Sequence, residues 1–276
     1  MTDAASVRWR RWLEEWAIPL ELMEAVPDSP YGWSPELWKR RAQVAREQGS
    51  QTPTSDIIRS LLPASGTLLD VGAGTGRASL VHAAEGYSLT AVEKNPDLAE
   101  GFRQRATEQG VSAELVEGAW PDIAGSVDRH DVAMCAHVVY DVADIEPFLS
   151  ALARHARVGV VVELTPGHPW SDLLPYYRAL HRLERPHGPT YADFVEVVEE
   201  VCEASPHVET WTRPGQVWFE SWDEILDHYG KRLVLPRSRW SELRELLVPE
   251  TKDDTGRLYV GSRDRTIVTV WWHREE

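Results

Sequence analysis

The sequence predicts an α/β fold: a mostly parallel, doubly wound sheet with an antiparallel C-terminal strand, preceded by N-terminal helices and carrying a helical insertion after the fifth strand. Strand-like runs alternate with helical stretches from Thr54 onward, the first run ends in closely spaced glycines, and the last run is rich in β-branched residues. Strands that are separated by whole helices need crossover connections, and such connections pair the strands in parallel.

The chain is expected to begin with a helical cap, residues 1–53, followed by one α/β domain, residues 54–276. Trp9, Trp12 and Trp16 recur at steps of three and four residues. On a helix this spacing places the three indoles near one face, which we expect to pack onto the main domain.

The strands and helices of the main domain follow in an order that fits one sheet. Apolar runs predict strands at Thr67–Val71, Ser88–Glu93, Ser112–Val116, Asp131–Ala136 and Val158–Leu164. Later strands are expected at Val208–Trp211, Gln216–Phe219 and Arg265–Trp272. Helices are expected at Pro96–Gln109, Ile145–Ala156, Ser171–Leu183, Tyr191–Cys202, Trp222–Leu235 and Arg239–Leu247. The segment at about 171–205 breaks the alternation of strands and helices, and it is the predicted insertion.

A glycine-rich turn follows the first strand and carries the functional prediction. The segment 68–77 reads LLDVGAGTGR, a strand that runs into a turn and then into a helix. Glycines permit a tight turn and let the backbone approach a ligand where any Cβ would collide. Glu93 ends the next strand, at the spacing from Gly72 where an acidic side chain commonly meets ribose hydroxyls. The turn is therefore predicted to bind a nucleoside.

The spacing of the glycines indicates which nucleoside is favoured. Dinucleotide-binding proteins carry G-x-G-x-x-G, whereas this chain has G-x-G-x-G with Arg77 in the place of the third glycine of that pattern. Asp70 lies two residues before the first glycine, where its charge would repel a pyrophosphate. A cationic ligand group suits this carboxylate better.

These residues resemble a known family: Asp70–Gly76 is similar to motif I of the class I S-adenosylmethionine (SAM)-dependent methyltransferases, which are Rossmann-like. The resemblance continues through Glu93, 116–120 and 131–149 and covers about residues 54–165. It implies SAM as cofactor and S-adenosyl-L-homocysteine (SAH) as product. The residues that it implies around the cofactor are Asp70, Gly72, Gly74 and Gly76 near the methionine moiety, Glu93 on the ribose, Ala119 and Trp120 at the adenine, and His137 beside them.

One position departs from the family pattern. Many members have an acidic residue that accepts the adenine amino group where this chain has Ala119. Trp120 could compensate by stacking on the ring, or it could be simple core filler. Asp122 is a second candidate for the amino contact.

Catalytic candidates lie after the fourth and fifth strands, at the edge where ligands bind in such sheets. A methyl donor that is already activated needs chiefly an aligned acceptor, and a base helps when the acceptor must lose a proton. His137, His168 and Tyr140 are the candidates for this role. The alternatives are that each histidine hydrogen-bonds a loop backbone and that Tyr140 is only a wall of the site.

Composition and missing motifs restrict the acceptor and the surroundings. The formal net charge of −15 opposes nucleic-acid binding, and the fourth strand lacks the Asp/Asn-Pro-Pro-aromatic and Pro-Cys signatures of base methylation. A small-molecule acceptor is therefore favoured over RNA or protein. A charged N-terminus, short apolar runs and two cysteines favour a cytoplasmic protein with no membrane span, and two thiols are too few for a cysteine-built zinc site.

Two other function classes stay open from the sequence. A SAM-binding sensor or interaction protein without turnover would keep the same cofactor motif. An NAD-dependent oxidoreductase is disfavoured by the missing third glycine and by Asp70.

A lid is also expected. Residues 1–50 and 171–205 are predicted to close over the carboxyl edge of the sheet, because closure would exclude water and align the acceptor. The predicted pocket residues from these and adjoining segments are Trp33, Trp170, Tyr176 and Tyr177.

Overall fold

A seven-stranded sheet forms the centre of the computed structural model, which describes residues 3–24, 26–31, 34–47, 51–215 and 217–274. The strands are β1 Thr67–Val71, β2 Ser88–Glu93, β3 Glu114–Glu117, β4 His130–Ala136, β5 Ala156–Leu164, β6 His207–Pro214, β7 Thr251–Asp254, β8 Arg257–Val260 and β9 Asp264–His273. The sheet order is β3-β2-β1-β4-β5-β9-β6, and β7 pairs with β8 in a separate hairpin.

Strands β1 to β5 pair in parallel, while β9 pairs antiparallel with both β5 and β6. The predicted fold class, a mostly parallel sheet with an antiparallel C-terminal strand, is confirmed. Strands β2 and β3 are added on one side of β1, and β4 and β5 are added on the other, so the carboxyl ends of β1 and β4 form the switch point at which such sheets bind ligands.

Helices cover both faces of this sheet. The helices of the described residues are α1 Ala5–Glu15, α2 Leu20–Glu24, α3 Pro35–Glu47, α4 Pro53–Leu61, α5 Leu80–Ala84, α6 Pro96–Gln109, α7 Ile145–His155, α8 Leu174–His181, α9 Tyr191–Cys202, α10 Trp222–Arg232 and α11 Trp240–Leu247, and six of them pack on the sheet. One core joins α1, α7 and α9 to one face, and a second core joins α4, α5 and α6 to the other.

Local sequence signals set the ends of the helix that follows β2. Asn95 caps α6 by accepting hydrogen bonds from the backbone N–H groups of Asp97 and Leu98, and Pro96 occupies the first helical position. Gly110 ends the helix in the left-handed conformation that favours glycine. This helix therefore begins directly after the carboxyl end of β2.

Two tryptophans, one in α1 and one directly after it, contact the main domain, as their spacing predicted. Trp9 is fully buried, its ring stacks on Tyr140 at 5.9 Å, and its Nε1–H donates to the carbonyl of Val142. Trp16 stacks on His168 with ring centroids 3.9 Å apart. Helix α1 thus shares the main hydrophobic core.

A third hydrophobic core lies inside a group of elements that we call the cap, namely α3, α8, α10, α11 and the β7–β8 hairpin. This cap differs from the N-terminal cap predicted at residues 1–53. The third core contains Leu37, Tyr177, Phe219, Ile225 and Leu243. The connections that contribute α8, α10, α11 and the hairpin leave the sheet after β5 and β6, whose carboxyl ends lie at one edge. The cap is therefore attached at the same edge as the switch point.

Some predicted elements differ from the structure. Helices follow β5, as predicted. However, α9 is not a separate insertion, because Phe194, Val197 and Val198 pack in the main core against one face of the sheet. The prediction of a strand at Gln216–Phe219 is wrong for the described residues, because Phe219 makes only one isolated bridge there, to Leu258. Gln216 lies outside the described residues.

Two further properties bear on the surroundings of the protein. Within the described ranges, no helix combines the length and apolarity that a membrane crossing requires. Cys135 and Cys202 are both free thiols.

Candidate functional site

A cleft of about 490 Å³ opens at the carboxyl ends of β1, β2 and β4. Small-molecule sites of proteins typically have volumes of this order. Its walls come from residues 70–75, 77–78, 92–95, 98, 105, 118, 120, 136–138, 141–142 and 148. The predicted nucleoside-binding turn thus lies at the cleft.

The glycines of the turn have different surroundings. Gly74 has a φ of +56°, and a Cβ added there would meet no protein atom within 4 Å. A Cβ on Gly76 would lie 2.6 Å from Leu80 and 2.9 Å from Phe102. Gly74 therefore presents open backbone to the cleft, whereas Gly76 is required for helix packing and does not line the cleft.

Glu93 lies at the carboxyl end of β2 and holds the turn in place. Its Oε2 accepts the backbone N–H of Gly74 at 2.8 Å, and its Oε1 accepts that of Asn95 at 2.8 Å. Each carboxylate oxygen has further lone pairs, and the side chain lines the cleft. The same carboxylate can thus bind ribose hydroxyls while it fixes the glycine turn.

Asp70 is a buried acid at the bottom of the cleft. Only 1% of its surface is exposed, and within the described residues neither carboxylate oxygen has a hydrogen bond of regular geometry. Burial raises the pKa of Asp70 to about 6, against the opposing effects of the Ser79 hydroxyl and the Arg77 guanidinium. A buried carboxylate of this kind is stabilised by a cationic ligand.

The turn after β3 forms another wall of the cleft. Gly118 and Trp120 line it, whereas Ala119 does not, and Asp122 is exposed. The Trp120 Nε1–H donates to the carbonyl of Phe148 at 3.2 Å, which fixes the indole beside a second aromatic side chain of the wall. Trp120 therefore offers a flat apolar surface to the cleft, and the predicted adenine contact of Ala119 has no side-chain basis here.

His137 lies just after β4 and lines the cleft. Its Nε2 is 3.1 Å from Oε1 of Glu163, and Nη2 of Arg77 is 2.9 Å from the same oxygen. Burial opposes ionisation of Glu163, but the His137 contact and the Arg77 charge together hold its pKa well below the usual range. Burial lowers the pKa of His137, and the contact with Glu163 opposes this effect.

The other two catalytic candidates do not line the cleft. Tyr140 is buried, its hydroxyl donates to the carbonyl of Thr165 at 2.6 Å, and burial raises its pKa. His168 accepts the backbone N–H of Trp170 and stacks on Trp16, and burial lowers its pKa to about 4. Each side chain is held in the aromatic layer between α1 and the sheet, and the catalytic role of both residues stays a prediction.

The predicted lid residues lie in the cap and beside it. Tyr177 is fully buried and donates its hydroxyl proton to the carbonyl of Arg232. Tyr176 packs against Tyr229, and Trp170 stacks on Tyr31. None of these three lines the cleft, and Trp33 lies outside the described residues.

Sequence reasoning missed Glu163, the residue that connects His137 to Arg77. It is an acid at the end of the apolar run Val158–Leu164, and it is only 2% exposed. The signal that could have found it is a charged residue near the carboxyl end of a buried strand, at the edge where ligands bind. Among the residues that the structure describes, no group of three or more His, Cys, Asp or Glu side chains is arranged to hold a metal ion.

Comparisons with known proteins find methyltransferases over the part of the chain that forms the cleft. Residues 68–159 match the family model of a methyltransferase domain. The demethylmenaquinone methyltransferase of Tropheryma whipplei is 31% identical over 123 residues, 43% of this chain and 49% of that protein. The ubiquinone biosynthesis O-methyltransferase of Azorhizobium caulinodans is 34% identical over 92 residues, 33% of this chain and 36% of that protein. This chain thus spans half or less of the curated relatives that it matches.

The fold is also found among solved structures. Magnesium protoporphyrin IX methyltransferase from Synechocystis PCC 6803, solved with bound SAH, aligns with a TM-score of 0.50 at 13% identity. The alignment covers 87% of this chain and 90% of that one. At this identity the likeness concerns the fold.

The cleft fits the cofactor that the motif implies. Asp70 supplies a buried carboxylate that has no hydrogen bond of regular geometry to the described part of the chain, and Gly74 leaves a space that a side chain would fill. Glu93 supplies hydroxyl acceptors, and Trp120 and Phe148 supply an apolar wall.

Proposed function

We propose, because residues 68–159 match the family model of a methyltransferase domain, that the whole chain transfers a methyl group from SAM to a small-molecule acceptor. The observation that carries the proposal is the pairing of an unsatisfied buried carboxylate, Asp70, with the open backbone of Gly74 in one cleft. The two free thiols also fit the cytoplasm, the reducing compartment in which we propose that the protein works.

The proposed acceptor class comes from the relatives and from His137. Two relatives are named for demethylmenaquinone and for O-methylation in ubiquinone biosynthesis. A hydroxyl acceptor must lose a proton during transfer, and a neutral imidazole at the cleft can accept it. A hydroxylated aromatic molecule is therefore the first acceptor class to test.

The cleft residues have distinct parts in the proposed reaction. Bound SAM would supply a methyl group that its sulfonium already activates. Asp70 would hold the cationic part of the cofactor, Glu93 the ribose hydroxyls, and Trp120 the base. These contacts fix the donor so that an acceptor meets it in one orientation, which is the main requirement of methyl transfer.

Glu163 would orient the base. Nε2 of His137 lies 3.1 Å from Glu163 without regular hydrogen-bond geometry, and a proton on Nε2 would favour this contact because a carboxylate only accepts hydrogen bonds. Nδ1 then carries the lone pair that takes the acceptor proton. Arg77 keeps Glu163 ionised through its 2.9 Å contact, so Glu163 and Arg77 act as positioning residues.

Binding and turnover test the proposal in two steps. Calorimetric titration of the full chain with SAH, and separately with NAD, should show binding of SAH alone. Incubation with labelled SAM and a set of hydroxylated aromatics should then transfer label to an acceptor. Binding of SAH without transfer to any member, or to components of a metabolite extract, would favour the sensor alternative over an enzyme.

A further inference from the structure

Arg77 connects the wall of the cleft to a buried acid behind that wall. The residue follows the glycine turn and lines the cleft together with Asp70 and His137, whereas Glu163 does not line it. Nη2 of Arg77 lies 2.9 Å from Oε1 of Glu163, and Nε2 of His137 lies 3.1 Å from the same oxygen. One buried carboxylate oxygen thus contacts both the residue after the glycine turn and the candidate base.

Arg77 retains hydrogen-bond donors for a ligand. A guanidinium carries several N–H donors in a fixed fork, and within the described ranges Arg77 uses them in one hydrogen bond of regular geometry, from Nη2 to Glu163. The side chain of Arg77 is 26% exposed, whereas that of Glu163 is 2% exposed. A ligand in the cleft can therefore meet the guanidinium while Glu163 stays behind it.

Asp70 and Arg77 present opposite charges to the same cleft. The amino acid end of SAM and of SAH also carries two opposite charges, an ammonium and a carboxylate. An ammonium on Asp70, whose oxygens lack hydrogen bonds of regular geometry within the described residues, leaves the carboxylate for a neighbouring cation. Lys94 and Arg105 also line the cleft, but they come from the end of β2 and from α6, beside Glu93 and the proposed ribose contact. Arg77 is therefore the cation best placed for the carboxylate.

We propose that Arg77 binds the carboxylate of the cofactor while it keeps its contact with Glu163, and that it thereby links cofactor binding to the candidate base His137. The inference rests on the proposed function, since it assigns a further part to residues of the same cleft. The fork of donors on a guanidinium can serve two carboxylates at once, which the ammonium of a lysine does less well. Arg77 is thus a positioning residue that acts on the base through Glu163.

The charges around His137 give this link a direction. Burial lowers the pKa of His137, the Glu163 contact raises it, and the charges of Arg77 and of Arg213 from β6 lower it. A carboxylate bound to Arg77 neutralises part of the charge that opposes Glu163, so it should raise the pKa of His137. This effect offsets the sulfonium of SAM, whose positive charge in the same cleft would weaken the base.

Calorimetric titration of the full chain with two ligands tests the carboxylate contact. SAH is compared with S-adenosyl-3-thiopropylamine, which is SAH without its carboxylate. We expect the wild type to prefer SAH by about tenfold or more, the usual effect of a charge-assisted hydrogen bond. Equal binding of the two ligands by the wild type would overturn the proposal.

Matched variants assign the preference to Arg77. Arg77→Gln should lose it, and Arg77→Lys should keep part of it, because a point charge replaces the fork. Arg59→Gln is the control, since it removes an arginine of similar exposure, 24%, from an ion pair with Glu85 that does not line the cleft. This control should keep the full preference for SAH. An unchanged preference in both Arg77 variants would show that another group holds the carboxylate.

Nuclear magnetic resonance of the His137 ring tests the link through Glu163. The ring signal is assigned by its absence from His137→Asn. In the wild type, the ring should titrate at a higher pH with SAH bound than with S-adenosyl-3-thiopropylamine bound, by roughly half a pH unit or more. In Glu163→Gln this difference should shrink, while the calorimetric preference for SAH persists. Equal titration in the two wild-type complexes, or an undiminished difference in Glu163→Gln, would contradict the link.

SAH affinity separates the possible failures. Wild-type chain that does not bind SAH would overturn the proposed function itself. Wild-type chain that binds SAH without preferring it to S-adenosyl-3-thiopropylamine would overturn the role of Arg77 alone. Loss of the preference in Arg77 variants whose circular dichroism spectra match the wild type supports that role.

Discussion

Nε2 of His137 lies 3.1 Å from Oε1 of Glu163, which is itself almost completely buried at the end of β5. His137 has a φ of +59°, a conformation that few residues other than glycine adopt. Its backbone N–H donates to the carbonyl of Glu163 at 2.8 Å, so both the backbone and the ring are fixed by the same residue. This double contact aims the imidazole into the cleft.

Replacing Glu163 should change the pH dependence of turnover. In Glu163→Gln the negative charge that raises the pKa of His137 is lost, while burial and Arg77 still lower it. The acid limb of the kcat/KM profile should therefore move to lower pH, and the plateau should fall because the base is weaker. A profile that superimposes on the wild type would show that Glu163 does not act through His137.

Replacing His137 should remove the acid limb of the pH profile of kcat/KM. Asn is the suitable substitute because it tolerates a positive φ. We expect His137→Asn to lower kcat by about 100-fold or more, the usual contribution of a general base, without a change in fold. A kcat close to that of the wild type would mean that acceptor alignment alone suffices.

We expect the Asp70 carboxylate to lower the stability of the ligand-free chain and to strengthen SAM binding. Its pKa of about 6 in the folded state exceeds the ordinary value, so above pH 6 the folded chain carries a charge that the unfolded chain holds more easily. Asp70→Asn should therefore raise the melting temperature of the ligand-free chain at pH 7 by an amount equivalent to roughly 1–3 kcal/mol, and the difference should vanish below about pH 4. The same variant should bind SAM more weakly. A lower melting temperature at pH 7 would contradict the assignment of Asp70 as an unsatisfied buried carboxylate.

The two glycines of the turn should give opposite phenotypes. Gly74→Val places a side chain in open space at the cleft and should abolish SAM binding, with a stability loss of ~1–2 kcal/mol from its positive φ. Gly76→Ala meets Leu80 and Phe102 and should lower the melting temperature more strongly. Normal SAM binding by Gly74→Val in calorimetry would place the cofactor elsewhere.

Local sequence determined the strands of the sheet better than it determined the site. The runs at Thr67–Val71 and Ser88–Glu93 gave the observed strand limits, because short, mostly apolar runs between turn signals are typical of a sheet buried on both faces. The β7–β8 hairpin was missed because Thr251–Asp254 is short and polar. Glu163 meets His137 and Arg77 only through the register of β4 on β5, and this long-range pairing has no local signature.

The last prediction concerns the cap. It is attached at the carboxyl edge through the connections after β5 and β6, so it is placed to close over the cleft, although no residue of it lines the described cleft. Closure would order α8 and α10 over the bound ligand, because methyl transfer requires that water be excluded and the acceptor aligned. We expect hydrogen exchange in Leu174–His181 and Trp222–Arg232 to slow when SAH binds, in addition to exchange at the cleft. Gly74→Val is the matched control, since SAH should leave its exchange unchanged throughout. Protection of the wild type that is confined to residues 68–148 would show that the cap stays fixed and does not act as a lid.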